Sequence, residues 1–398
     1  MAATFAERVA KLGLGDPTMW PGETIDAQIT VRDVDHLKDI LDPGMGAAER
    51  KAHAHAMFDG VTQGSDSESG LLRRVYEYVY GDSELSDEDR EVVGAAFPLE
   101  VRAVAAPDKT ISTPWNLGQS GSPVVMILGT LTINQGGYIL IGNTVLNFTV
   151  DNVIRNGTSG ASGAYDFNIL GVDGNTGSPG AQPAAPGQAQ NGPPGTCSSA
   201  GIAAGGGGNG STGAVGTVGG TGGDGADGLP SLPATITIKS TIGGSAPQVT
   251  IATRSGAGGA GGPGGTGAQG GQGGNGGNGV TCGCTGNSGG TGGQGGTGGP
   301  GGVGGPGGNG IDAGGNVVVI VPAAYASRIL PVQLLASAGA GGGAGSGGPG
   351  GAGGGASSGG KHNDGGSGGG TGGAGGPGKT GPRGLRPGKP GTITVQPT

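Results

Sequence analysis

The chain has 398 residues, of which 104 are glycine and only 13 are aromatic, and its formal net charge is −8. Ten of the aromatics precede residue 157 and 88 of the glycines follow residue 156, so the second half lacks the side chains that bury apolar area and cannot be an ordinary enzyme domain. An acidic balance with no basic stripe also excludes a nucleic-acid grip.

Residues 1–97 read as a small acidic helical domain. Thr4 and Glu7 form a capping-box pattern ahead of Phe5, Val9 and Leu12 at helical spacing. Thr30 and Asp33 are expected to introduce a helix carrying Val31, Val34, Leu37, Ile40 and Leu41, which Asp42-Pro43-Gly44 would end. Further helices are expected at 47–58, 71–80 and 86–97, with Tyr76, Tyr78 and Tyr80 as core and rim packing. His53 and His55 stand two apart, not the four that a helical metal pair needs, and read as solvated. Residues 1–110 carry 21 acidic and 11 basic side chains, which read as solvated helix faces and not as a catalytic carboxylate pair. No run approaches 18 apolar residues, so no membrane span is expected. The first residues have no basic, then apolar, signal pattern.

From 98 to 156 short apolar runs take over, at 124–128, 130–133, 138–141 and 145–150, punctuated by Asn134-Gln135-Gly136-Gly137 and Gly142-Asn143-Thr144. This is the pattern of a β module. The third region, 157–398, is glycine-rich, with β runs interspersed at 234–239, 248–253, 316–321, 330–336 and 392–395.

Its glycines keep a reading frame. Every third residue is glycine from 207 to 228, from 258 to 279 and from 289 to 310, and again over 339–354 and 366–384. A flexible linker needs only composition, not a frame. A period of three is that of the polyproline II helix, which rises about 3.1 Å per residue and makes no internal hydrogen bonds. Proline, at about 8 % of residues 157–398, falls short of collagen. The run 207–228 leaves one face bare and should lie at an edge, whereas 258–279 and 289–310 are barer and should lie inside. Three hairpins are therefore expected, each leaving a β platform and returning to it. The expected fold class is a small α-helical N-terminal domain followed by β segments alternating with polyglycine-II helices packed as an intramolecular bundle.

The distal loops of those hairpins hold the candidate site residues. Cys197 falls in the first, and Cys282 and Cys284 in the second, so a disulfide from Cys197 to either is open, as are a free thiol and an intermolecular bond. Three cysteines fall short of the usual four zinc ligands. Thr281, Thr285 and Asn287 in the second loop, and Lys361, His362, Asn363 and Asp364 in the third, are candidate contact residues. Gly373 to Thr380 matches a phosphate-loop string, but without the flanking strand and helix it carries no cofactor assignment, and no catalytic, cofactor or metal residue is assigned.

In repeat style, the tracts between about 157 and 391 resemble glycine-rich polyglycine-II proteins: the distal tail-fibre adhesins of some phages, a snow-flea antifreeze protein, and the glycine-rich repeats of mycobacterial surface proteins. The expected function is a non-enzymatic structural or adhesive surface protein, with a self-assembling subunit of an extracellular fibre as one form of it. The alternatives are a receptor-binding adhesin that uses the distal loops, and an ice-binding protein. Expected partners are further copies or another protein through the N-terminal domain and β edges, and a surface receptor or glycan at the distal loops. The expected location is extracellular or on a cell or virion surface.

Overall fold

The computed structural model describes residues 4–16, 22–41, 47–59, 67–118, 123–157 and 165–398. Alternation builds its base. Ile25, Ala27, Ile29 and Val31 alternate with polar residues, and this period of two makes β1 (Ile25–Val31) a strand paired antiparallel with β2 (Leu99–Ile111). The expected helix therefore begins only at Val34, and Val31 belongs to the sheet. The expected stop at residues 42–44 lies outside the described residues.

From β2 the chain winds in parallel rungs through β3 (Pro114–Asn116), β4 (Val124–Ile133), β5 (Tyr138–Gly142), β6 (Leu146–Arg155) and β7 (Phe167–Leu170). The short pairs β8 (Thr196–Cys197) with β9 (Ala203–Gly205), and β12 (Thr281–Cys282) with β13 (Thr285–Gly286), lie in excursions from those rungs. The rungs resume with β10 (Ala234–Gly243) and β11 (Val249–Arg254), then with β14 (Val317–Val321) and β15 (Ile329–Gln333), and end at β16 (Ile393–Pro397).

Two sheets result. One has seven strands in the order β1-β2-β4-β6-β10-β14-β16; the other has five in the order β15-β11-β7-β5-β3. Stacking in register places Met126, Phe148, Ile236 and Val319 in one column of the first sheet and Trp115, Ile139, Phe167 and Ile251 in one column of the second. These columns form the main apolar core between the sheets.

The helices α1 (Phe5–Lys11), α2 (Val34–Leu41), α3 (Ala47–Phe58), α4 (Ser67–Tyr80) and α5 (Asp87–Gly94) share a second core with the seven-stranded sheet. Val9, Leu41, Met57 and Tyr80 pack there with Val101, Val125 and Val318. Both halves of the capping box between Thr4 and Glu7 are present.

These findings correct the expected fold class. The protein is a mixed α/β chain, about 14 % helical, organised by a seven-stranded mixed sheet and a five-stranded parallel sheet. A separate helical domain followed by a polyglycine bundle misdescribes it. The helices have no core of their own, and strands from Ile25 to Pro397 close into the same sheet.

The glycine-rich segments are inserted between rungs. Each leaves a strand of the five-stranded sheet and returns to the next strand of the seven-stranded one: 171–195 out and 206–230 back, 255–279 out and 289–311 back, 336–360 out and 365–391 back. Six extended rods lie in two layers, joined within and between layers by backbone bonds. In the second outgoing rod, Gly258, Gly261, Gly264, Gly267, Gly270, Gly273, Gly276 and Gly279 all donate to carbonyls of the third, at 2.7 to 3.1 Å. The amides next along, from Gly259 to Gly277, donate at 2.7 to 2.9 Å to the first returning rod. Closeness is why glycine is required: a Cβ on Gly259, Gly262 or Gly265 would overlap the carbonyl oxygen of Asn175, Ser178 or Ala181. The third amide of each triplet faces out, where Asn and Asp side chains cap several. Asp173 Oδ1 accepts from the Ala257 amide at 2.8 Å, and Asn275 Oδ1 from that of Gly355 at 2.7 Å.

Both sides of the array carry side chains. Asn175, Ser178 and Ala181 on the first outgoing rod occupy the places that Gly259, Gly262 and Gly265 hold one rod inward. Thr371, Ala374 and Pro377 on the last returning rod occupy those of Gly295, Gly298 and Gly301. A seventh rod at the same spacing would meet these side chains.

Candidate functional site

The far end of the array brings the three distal loops together. Cys197 in β8 and Cys282 in β12 are joined by a disulfide with Cα atoms 5.7 Å apart, and Cys284 is a free, exposed thiol. Gly283 takes a positive φ of 55°, which turns the chain between β12 and β13. The bridge thus staples the first loop to the second across 85 residues of sequence.

Polar contacts bind the loops further. Asn287 Oδ1 accepts from the Val280 amide at 2.7 Å, and its Nδ2 donates to the carbonyls of Thr196 and Gly205. Its own carbonyl accepts from the Gly360 amide at 2.9 Å, so one residue touches all three loops. Thr285 Oγ1 accepts from the Ala203 amide at 3.0 Å and donates to the Cys282 carbonyl at 3.1 Å. Thr281 Oγ1 accepts from the Lys361 amide at 2.9 Å. The structure therefore places Thr281, Thr285 and Asn287 as joints of the tip.

Four other expected contact residues, Lys361, His362, Asn363 and Asp364, are exposed in the third loop. Asn363 Nδ2 is turned inward to the Lys361 carbonyl at 3.0 Å. His362 sits at φ 62°, in the left-handed region, with its side chain exposed. Ile202, 55 % exposed, adds an apolar side chain to the surface of the tip that the sequence reading missed. A lone isoleucine in a Ser-Ala-Gly stretch gives no periodic signal, so only the folded loop reveals it.

A second hollow lies in the helical layer. A groove of about 570 Å³ is lined by Lys51, Ala54, His55, Phe58, Asp59, Arg73, Glu77, Gly81, Asp82 and Ser83. Arg73 is tied to Glu77 at 2.8 Å. His55 is exposed as expected, but His53 is fully buried, with Nε2 2.9 Å from Thr235 Oγ1 on β10. Burial pushes its pKa from 6.5 down to about 4, which keeps it neutral. Tyr80 is buried, Tyr76 stacks on it at 6.1 Å, and Tyr78 donates to Asp35 beneath the Lys38 ammonium.

Among the described residues no three His, Cys, Asp or Glu side chains gather into a metal-binding group, and no helix is long and apolar enough to cross a membrane. Comparison with family models, with curated proteins and with solved structures found no match.

Proposed function

We propose that the protein is a non-enzymatic structural or adhesive surface protein. In this reading the glycine-rich array is a stiff spacer between the sheet-and-helix base and a contact tip. The observation that carries it is the unbroken row of eight donors from Gly258 to Gly279, which runs from the base to the stapled loops. At about 3.1 Å per residue such a row spans roughly 65 Å. A disulfide at the exposed end supports an oxidising, extracellular or surface location. Ile202, Lys361, His362 and Asp364 offer a small mixed surface for a receptor or glycan.

The fibre form of this reading is weaker for growth by adding rods, because Asn175, Ser178, Ala181, Thr371, Ala374 and Pro377 obstruct both sides of the array. Beads coated with the full chain test the adhesive reading on bacterial cell walls and cultured animal cells. A second chain carries Ile202→Ser, Lys361→Ser, His362→Asn and Asp364→Ser, the asparagine chosen because it tolerates the left-handed φ. Adhesion by the first and not the second is expected. Equal adhesion by both, or none by either, contradicts it.

A further inference from the structure

The outer face of the returning layer carries an apolar patch that no part of the described residues covers. Outward side chains recur every third residue along its rods. On the first they read Asn209, Thr212, Val215, Val218, Thr221 and Asp224; Val215 is 63 % and Val218 59 % exposed. On the middle rod Thr297, Pro300 and Val303 continue the patch, with Val303 42 % exposed. The bonds Gly216 to Thr297, Gly219 to Pro300 and Gly222 to Val303 hold these rows level. Polar residues lie at both ends and apolar ones in the middle, the arrangement of an interface with a dry centre and a wet rim.

The order on the first rod is nearly palindromic. Reversed about a point between Val215 and Val218, valine falls on valine, Thr212 on Thr221, and Asn209 on Asp224. A two-fold axis produces that self-match, since an isologous contact sets residue i against j and j against i.

The last rod adds a second sign. Gly370 and Gly376 have open space where a Cβ would stand, and at Gly373 a Cβ would make only ordinary contact with Thr297. Their bareness is not explained by packing within the chain, unlike that of Gly295 or Gly298. Under the same rotation, in the register set by the bonds from Gly216 to Thr297 and from Gly298 to Gly373, Gly370 comes opposite Lys379, so a hollow meets bulk.

We propose that this face docks a second copy of the chain, with the two sets of rods antiparallel. Three rods about 5 Å apart and roughly 60 Å long present about 900 Å² per copy, or about 1,800 Å² in total, the size of a standard stable interface. No like charges oppose each other along the first rod, because Asp224 meets Asn209. The rotation also carries the exposed Lys361 and His362 of each tip toward the partner's base, where residues 1–110 hold the acidic excess. The inference concerns the body of the protein and stands independently of what the tip touches.

Sedimentation of the full chain tests it. A dimer is expected at micromolar concentration, weakened about 30-fold or more by Val215→Asp with Val218→Asp. Because both side chains are exposed, thermal unfolding followed at a concentration where both chains are monomeric should be unchanged. Cross-linking in a Cys284→Ser background fixes the direction: an equal mixture of Val215→Cys and Val218→Cys chains should cross-link. A monomer at about 100 µM, a dimer indifferent to the two aspartates, or cross-linking of Val215→Cys to Gly373→Cys in place of Val218→Cys would overturn the proposal.

Discussion

Gly262 lies so close to Ser178 that a Cβ on the glycine would overlap the serine's carbonyl oxygen, while its amide donates to the Gly223 carbonyl at 2.8 Å. One residue thus joins two neighbouring rods. Gly262→Ala is expected to force the rods apart and cost about 2 to 3 kcal/mol or more. Gly343→Ala, on an outward position with open space, should stay within about 0.5 kcal/mol. Urea unfolding of the two variants checks the contrast.

His53 gives the base a pH dependence. Its pKa is about 4 when folded, against 6.5 unfolded. Between these values the unfolded chain binds a proton that the folded one does not, so stability falls as pH drops from 6.5 toward 4. The loss totals about 3 kcal/mol, and above pH 6.5 the full stability is present. The difference between the parent chain and His53→Gln, measured by urea unfolding from pH 7.5 to 4, should shrink or reverse across that window. A pH-independent difference would contradict the assignment.

The frame of three was legible in the sequence, because a repeat that must place a bare backbone against its neighbours leaves glycine at fixed intervals. So were most strands and the capping box at Thr4. The strand at Ile25–Val31 was not, because Val31 also fits the helical spacing of Val34 and Leu37, and only the pairing with β2 decides between the two periods. His53 was misread for a similar reason: in an alanine-rich helix nothing marks which histidine faces the sheet. Sequence leaves the pairing of Cys197 open between Cys282 and Cys284, because which pair forms depends on the β12–β13 turn, in which Cys282 bonds to Cys197 and Cys284 stays exposed.

Arg155 and Asp166 form a buried pair, 2.7 Å apart, with side chains only 1 % and 2 % exposed. Asp166 also accepts from the Thr250 amide at 2.8 Å and its hydroxyl at 3.0 Å, which ties β11 to the pair. Asp166→Ala leaves a buried guanidinium without its counter-charge and is expected to cost about 3 to 5 kcal/mol. A change within 1 kcal/mol in chemical denaturation would contradict this role.

The Cys197–Cys282 bridge closes a loop of 85 residues, worth about 4 to 5 kcal/mol in the chain-entropy picture. Asn287 acts at the same place through hydrogen bonds. Cys197→Ser with Cys282→Ser, and separately Asn287→Ala, should raise amide exchange at Val280, Gly205 and Gly360 while leaving Ile236 and Val319 in the sheet unchanged.

The central claim is that main-chain hydrogen bonds order the glycine-rich half. Residue-resolved hydrogen exchange of the intact chain tests it most directly. The account predicts strong protection at Gly261, Gly262, Gly296 and Gly299, whose amides bond to neighbouring rods, and fast exchange at the outward amides of Gly343 and Gly376. Uniform exchange at random-coil rates from 256 to 310 would contradict it.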